Sequence, residues 1–145
     1  MNEQQFFDLN FQNAAIEVMP KGSVFYHGFQ GDEPIMNDHQ ALWVSVRKAE
    51  AEEYSHFSNR TRKGGVLKLE LRTENTVVLG KPNGHQFLAS IDSSDHRLFA
   101  MHLHAWATRS RTRFVRESQD CYIAFRARTD FDVLYVHKWS KQDVN

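Results

Sequence analysis

The chain has one cysteine, three prolines and seven glycines in 145 residues, and no excess charge of either sign. Each shortage excludes something. Cys121 has no second thiol to pair with, so no intramolecular disulfide forms, which fits a reducing compartment. No Pro- or Gly-rich stretch marks a linker, so a single domain over residues 1–145 is expected. Eighteen basic residues balance eighteen acidic ones, so nothing overall argues for nucleic acid or an anionic membrane as an obligate partner. No apolar run approaches the roughly 18 residues of a membrane span. The start, MNEQQFFDLNFQNAA, carries acids and amides where a signal peptide has basic residues and a long apolar run. These features predict a protein that acts in a cytoplasm, either where it is made or in a cell into which it is delivered, with no membrane partner.

Aromatics are plentiful at 12%, with eleven Phe. A chain of this length buries about two-thirds of its unfolded surface, enough for a core without a structural metal. Residues 1–19 are hard to assign, although Phe6, Phe7, Leu9 and Phe11 are suited to covering an edge of the core. Val24 to Tyr26 reads as a strand that ends at His27-Gly28. Ala41 to Val44 reads as a second strand. Ser45 then stands where a helix N-cap belongs, ahead of the helical stretch VRKAEAEEYSHF. In that helix Val46, Ala49, Tyr54 and Phe57 are expected to share the inner face, with Glu50, Glu52 and Glu53 mostly in solvent. VLKLEL, residues 66–71, alternates as a half-buried strand does, and residues 76–79 form another. Residues 80–84 read as a loop, and a helix runs from about Asp95 to Ser110. Three strands follow: 113–116, 121–126 and 133–137. Strands with two helices inserted, rather than a regular strand–helix alternation, indicate the α+β class.

Three features fall in order: a strand ending Tyr26-His27-Gly28, a strand ending Trp43-Val44-Ser45 that opens the helix of Tyr54, and a strand entered through Glu117-Ser118-Gln119-Asp120. A histidine both donates and accepts hydrogen bonds and suits a ribose hydroxyl. Gly28 has no side chain, so a ligand can approach its backbone and a carboxamide can be clamped there. Tyr54 offers a face for stacking an aromatic ring. A nearby carboxylate would stabilise positive charge developing on a sugar carbon. Together these suit a nicotinamide riboside.

The ordered set YHGF, ALWVSVRKAEAEEYSHF and KGGVLKLEL, over roughly residues 23–79, resembles the ADP-ribosyltransferase superfamily, in its diphtheria-toxin and poly-ADP-ribose polymerase branch with a His, Tyr, Glu triad. The resemblance implies a split β-sheet core with two or more inserted helices, and NAD as substrate with no metal. It implies that His27 contacts the adenosine-side ribose, the Gly28 backbone holds the nicotinamide amide, and Tyr54 stacks on the nicotinamide ring. Ser45 then supports the pocket, and Trp43 and Val44 flank it. Apart from the resemblance, Arg47 and Lys48 at the start of the Tyr54 helix are candidate phosphate contacts, rivals to the arginine run at residues 109–116. The family's third motif opens a strand with Glu. Here Cys121 of DCYIAF stands at that position, and a thiol of ordinary pKa near 8.5 does not replace the charge. Asp120 or Glu117 can supply the carboxylate after a small shift of loop register. Gln119 then takes the role of the upstream residue that orients an acceptor.

The resemblance implies transfer of ADP-ribose to a protein or nucleic-acid acceptor, in a chain whose size suits a bacterial or phage effector, toxin or inhibitor. Two alternatives stand beside it. One is a catalytically silent module on this fold that occupies a partner protein. The other is an RNA 2′-phosphotransferase, kept open by the run Arg109, Arg111, Arg113 and Arg116, which reads either as a solvated face with helix capping or as a contact to NAD pyrophosphate, a nucleic acid or an acidic target. His102 and His104 do not suggest a metal, because residues two apart on a helix point to different faces.

Overall fold

The computed structural model describes residues 3–11, 15–56, 63–79 and 96–139. In chain order these form α1 (Glu3–Phe11), β1 (Ile16–Met19), β2 (Val24–Gln30), β3 (Leu42–Ser45), α2 (Lys48–His56), β4 (Gly64–Leu71) and β5 (Asn75–Leu79). Then come α3 (His96–Ser110), β6 (Phe114–Arg116), β7 (Cys121–Ala124), α4 (Ala127–Asp130) and β8 (Phe131–Lys138). The class is α+β.

All eight strands belong to one sheet, in the order β1-β5-β6-β7-β3-β2-β4-β8. Among the described residues, only β5 and β6 run parallel. The sheet curls: Phe114 on β6 and Phe131 on β8, five places apart in that order, bring their rings within 5.7 Å. Phe25 on β2 touches both Tyr122 and Phe131. Strand alternation explains which side chains line the concave face. Leu67, Leu69 and Leu71 turn inward with Phe25 and Phe29, while Lys68 lies on the opposite side.

The convex face is covered by helices. α1 and α3 bury Phe7, Phe11, Phe99, Leu103 and Trp106 against Val115 and Ile123. The Trp106 indole N–H donates to Asp8 Oδ1 at 3.1 Å, so its one polar atom is satisfied. Residues 1–19 therefore contribute a helix and an edge strand: Phe7 and Phe11 are core, while Leu9 is exposed. β1 pairs with β5 over four residues.

α2 lies over β2 and β4. A Cβ at residue 28 would overlap the Ala51 carbonyl oxygen, so Gly28 is what lets the helix backbone meet the strand. The inner face of α2 is Ala51 and Ser55. The expected inner face differs: Val46 and Tyr54 are exposed, and Phe57 lies outside the described residues. Small residues seat the helix because it approaches the sheet closely.

The sheet is weakest between β2 and β3. These two share a single residue pair, Tyr26 with Ser45, whereas β2 and β4 share seven. β2 also runs on to Gln30, so His27 and Gly28 lie within the strand rather than at its end. Phe29 continues the alternation, and the chain turns only at Gly31, whose φ of 118° suits glycine. β7 stops at Ala124, earlier than expected, because residues 127–130 turn into α4. β8 starts at Phe131 rather than Val133. The loop expected at 80–84 lies outside the described residues.

Candidate functional site

Ser45 ends β3 and sits directly opposite Cys121, the first residue of β7. Two residues on, the Arg47 backbone N–H donates to Ser45 Oγ at 3.0 Å, an N-terminal cap for α2. The Ser45 hydroxyl in turn donates to Glu50 Oε2 at 3.0 Å. The Cys121 thiol donates to the same oxygen at 2.8 Å. A carboxylate from the first turns of α2 is thus held between the end of β3 and the start of β7. Its side chain keeps about a third of its surface open, and Arg47 stands 3.7 Å from it.

Glu50 and Tyr54 are four residues apart on α2, so they share one flank of the helix. Tyr54 is 59% exposed there. Its backbone carbonyl accepts from Gln30 Nε2 at 2.8 Å, which ties α2 to the end of β2.

A second carboxyl group lies nearby. Burial raises the pKa of Glu117, the negative charge of Glu50 adds to the rise, and a hydrogen bond with the Trp43 side chain opposes it. The Glu117 backbone N–H donates to the Cys121 carbonyl at 2.9 Å, which fixes the loop against β7. Between the two acids, the Cys121 thiol is pushed up to about 11, first by burial and then by its bond to Glu50. It is a thiol at neutral pH and not a nucleophile.

The other loop residues are placed differently. Asp120 accepts the Val46 N–H through its backbone at 3.0 Å, and its carboxylate lies 3.8 Å from Arg47. The Gln119 carbonyl accepts from Arg116 Nη2 at 2.7 Å. Its side chain is exposed.

His27 occupies the parting between β2 and β3. Its Nδ1 lies 2.7 Å from the Trp43 carbonyl oxygen, so Nδ1 carries the proton and Nε2 is left as the acceptor. Burial lowers its pKa, with the Trp43 bond opposing, so the ring is neutral. The register places His27 on the concave face with Phe25 and Phe29, and Tyr26, Gly28, Ser45 and Cys121 on the convex face beneath α2. Gly28 does not present an open backbone on that convex side, because α2 lies against it.

The structure brings Ser45, Cys121, Arg47 and Glu117 around one carboxylate, and that carboxylate belongs to Glu50, which the sequence pattern placed in solvent. Arg113 and Arg116 are engaged internally: Arg113 pairs with buried Asp130 at 3.0 Å and Arg116 with Glu17 at 3.1 Å. Arg109 and Arg111 are exposed. His104 Nε2 lies 3.0 Å from the Asp38 carbonyl and 3.1 Å from that of Phe125. Among the described residues no group of three or more His, Cys, Asp and Glu is placed to hold a metal ion, and no helix is long and apolar enough to cross a membrane. No protein-family model matches the chain, and no curated protein is significantly similar to it.

Proposed function

We propose that the protein transfers ADP-ribose from NAD to a protein or nucleic-acid acceptor, and that Glu50 supplies the carboxylate at the reacting sugar carbon. The observation that carries this reading is the placement of the Glu50 carboxylate on Ser45 Oγ and Cys121 Sγ. The resemblance of the sequence leads one to expect a carboxylate at that point, borne by the strand that begins with Cys121. Here the helix following Ser45 delivers one from the other side. A sheet that parts between the strand of His27 and the strand of Ser45 also agrees with a split-sheet core.

In this reading the bond between nicotinamide and the ribose C1′ breaks and its electron pair leaves with nicotinamide. Glu50 stabilises the positive charge left on the ribose, and a carboxylate fixed in place beforehand is worth several kcal/mol in such a role. Tyr54, on the same flank of α2, stacks on the nicotinamide ring. His27 lies on the face of the sheet opposite Glu50 and Tyr54, so a dinucleotide reaches its Nε2 through the parting between β2 and β3, where that nitrogen accepts from a ribose hydroxyl. The acceptor attacks C1′ and its proton passes to Glu117, a carboxylate made more basic than usual by burial.

The second reading, a silent module that occupies a partner, is favoured by one observation: Arg47 already pairs with both Glu50 and Asp120. The test is incorporation of labelled ADP-ribose from NAD into lysate protein or nucleic acid by wild type and by Tyr54→Ala. Transfer lost in the variant supports the enzyme. No transfer by folded wild type in several lysates leaves the silent module.

A further inference from the structure

One line of residues crosses the convex face at right angles to the strands. Cys121 pairs with Ser45, Ser45 with Tyr26, Tyr26 with Lys68, and Lys68 with Tyr135. Directly opposed residues share a face, so this row continues from the Glu50 carboxylate to the sheet edge at β8. From Ser45 to Tyr135 it spans three strand spacings, about 14 Å.

The far end of the row is cationic and aromatic. Lys68 Nζ lies 5.9 Å from the Tyr135 ring centre, and Lys48 Nζ, from the first turn of α2, lies 6.0 Å from the same ring. The other lysines near this edge are neutralised: Lys63 pairs with Asp32 and Lys138 with Glu33. Lys48 has Glu52 at 3.9 Å. Among the described residues Lys68 has no acidic partner, although its neighbours in the row are both tyrosines. Two ammonium groups drawn to one ring, one of them without a counter-charge, form a site for a phosphate beside a face on which a base can stack.

We propose that Lys48, Lys68, Tyr26 and Tyr135 bind the phosphodiester backbone of a single-stranded nucleic acid. Its service as the acceptor rests on the transferase reading, whereas binding does not and is measured without NAD.

The experiment is fluorescence anisotropy of a labelled oligothymidylate titrated with the full chain over a range of salt concentrations. Wild type is compared with the double variant Lys48→Gln, Lys68→Gln, with Tyr135→Leu, and with Lys63→Gln as a control on an already neutralised lysine. Wild type is expected to bind. The double variant is expected to bind more weakly, with a log–log salt slope shallower by about 1.4, since each phosphate contact to a single strand contributes about 0.7. Tyr135→Leu is expected to weaken binding without changing the slope, and Lys63→Gln to match wild type. Wild type that does not bind, a double variant with the wild-type slope, or displacement of the oligonucleotide by equimolar ADP would each overturn the proposal, the last by making this a mononucleotide site.

Discussion

Glu50 Oε2 accepts hydrogen bonds from both Ser45 Oγ and Cys121 Sγ, at 3.0 and 2.8 Å. That oxygen links the helix after β3 to the strand where the resemblance expects the catalytic acid. The thiol reports on it directly. Burial and the bond to Glu50 push Cys121 up to about 11, and the Glu50 charge adds to the effect. In Glu50→Gln the charge is gone while burial remains, so the thiol pKa is expected to fall below that of wild type. The pH dependence of iodoacetamide alkylation measures this. An unchanged profile would show that Glu50 does not face Cys121.

Gly28 sets how closely α2 approaches β2. In Gly28→Ala the new methyl overlaps the Ala51 carbonyl, and backbone rather than a flexible side chain has to move. Overpacking of this kind costs about 1–3 kcal/mol, and occasionally more. Chemical denaturation is expected to show a lowered midpoint, and Tyr135→Leu, a change remote from that contact, a much smaller one.

His27 makes stability depend on pH. Its folded-state pKa lies below the ordinary 6.5, mainly because burial disfavours the charged ring. Above about pH 6.5 both folded and unfolded chains hold a neutral ring, and the contribution is fully present. As pH falls below that value, the unfolded chain takes up a proton that the folded chain resists, and stability is lost down to the folded pKa. Melting temperature is therefore expected to fall less between pH 7 and pH 5 in His27→Gln than in wild type. Parallel curves would contradict a buried neutral His27.

Arg113 neutralises Asp130, a carboxylate with 2% of its side chain exposed whose Oδ2 has no hydrogen-bond partner among the described residues. Burial raises the Asp130 pKa and the Arg113 charge opposes it. Removing one member of a buried pair strands the other, at a cost of about 3–5 kcal/mol. The Arg113 side chain is 32% exposed, which points to the lower end. Denaturation of Arg113→Ala should show this loss, and Asp130→Asn in the same background should recover part of it. No recovery would mean that the loss came from packing alone.

The α+β class was legible because strand patterns such as residues 66–71 alternate cleanly and the long helix of Phe99, Leu103 and Trp106 has one apolar face. α1 and β1 were not: Phe6, Phe7, Leu9 and Phe11 carry no single period, and Ile16 and Val18 are exposed at the sheet edge. Ser45 was legible as a cap, and its hydroxyl does accept the Arg47 N–H. Glu50 was hidden for a specific reason. Apolar spacing suggested that Val46, Ala49, Tyr54 and Phe57 face inward, whereas Ala51 and Ser55 do, since only small side chains fit above Gly28. That rotation of the helix carries Glu50 from solvent to the end of β3. Pairing of Ser45 with Cys121 joins residues 76 positions apart, and no local pattern encodes it.

The most direct test of the central claim is the release of nicotinamide from NAD by purified wild type and Glu50→Gln, followed by chromatography, with circular dichroism confirming that both are folded. The account predicts release by wild type and a loss of about 10²–10³-fold in the variant, the usual effect of removing one charge-stabilising group. Equal release by the two proteins would contradict it.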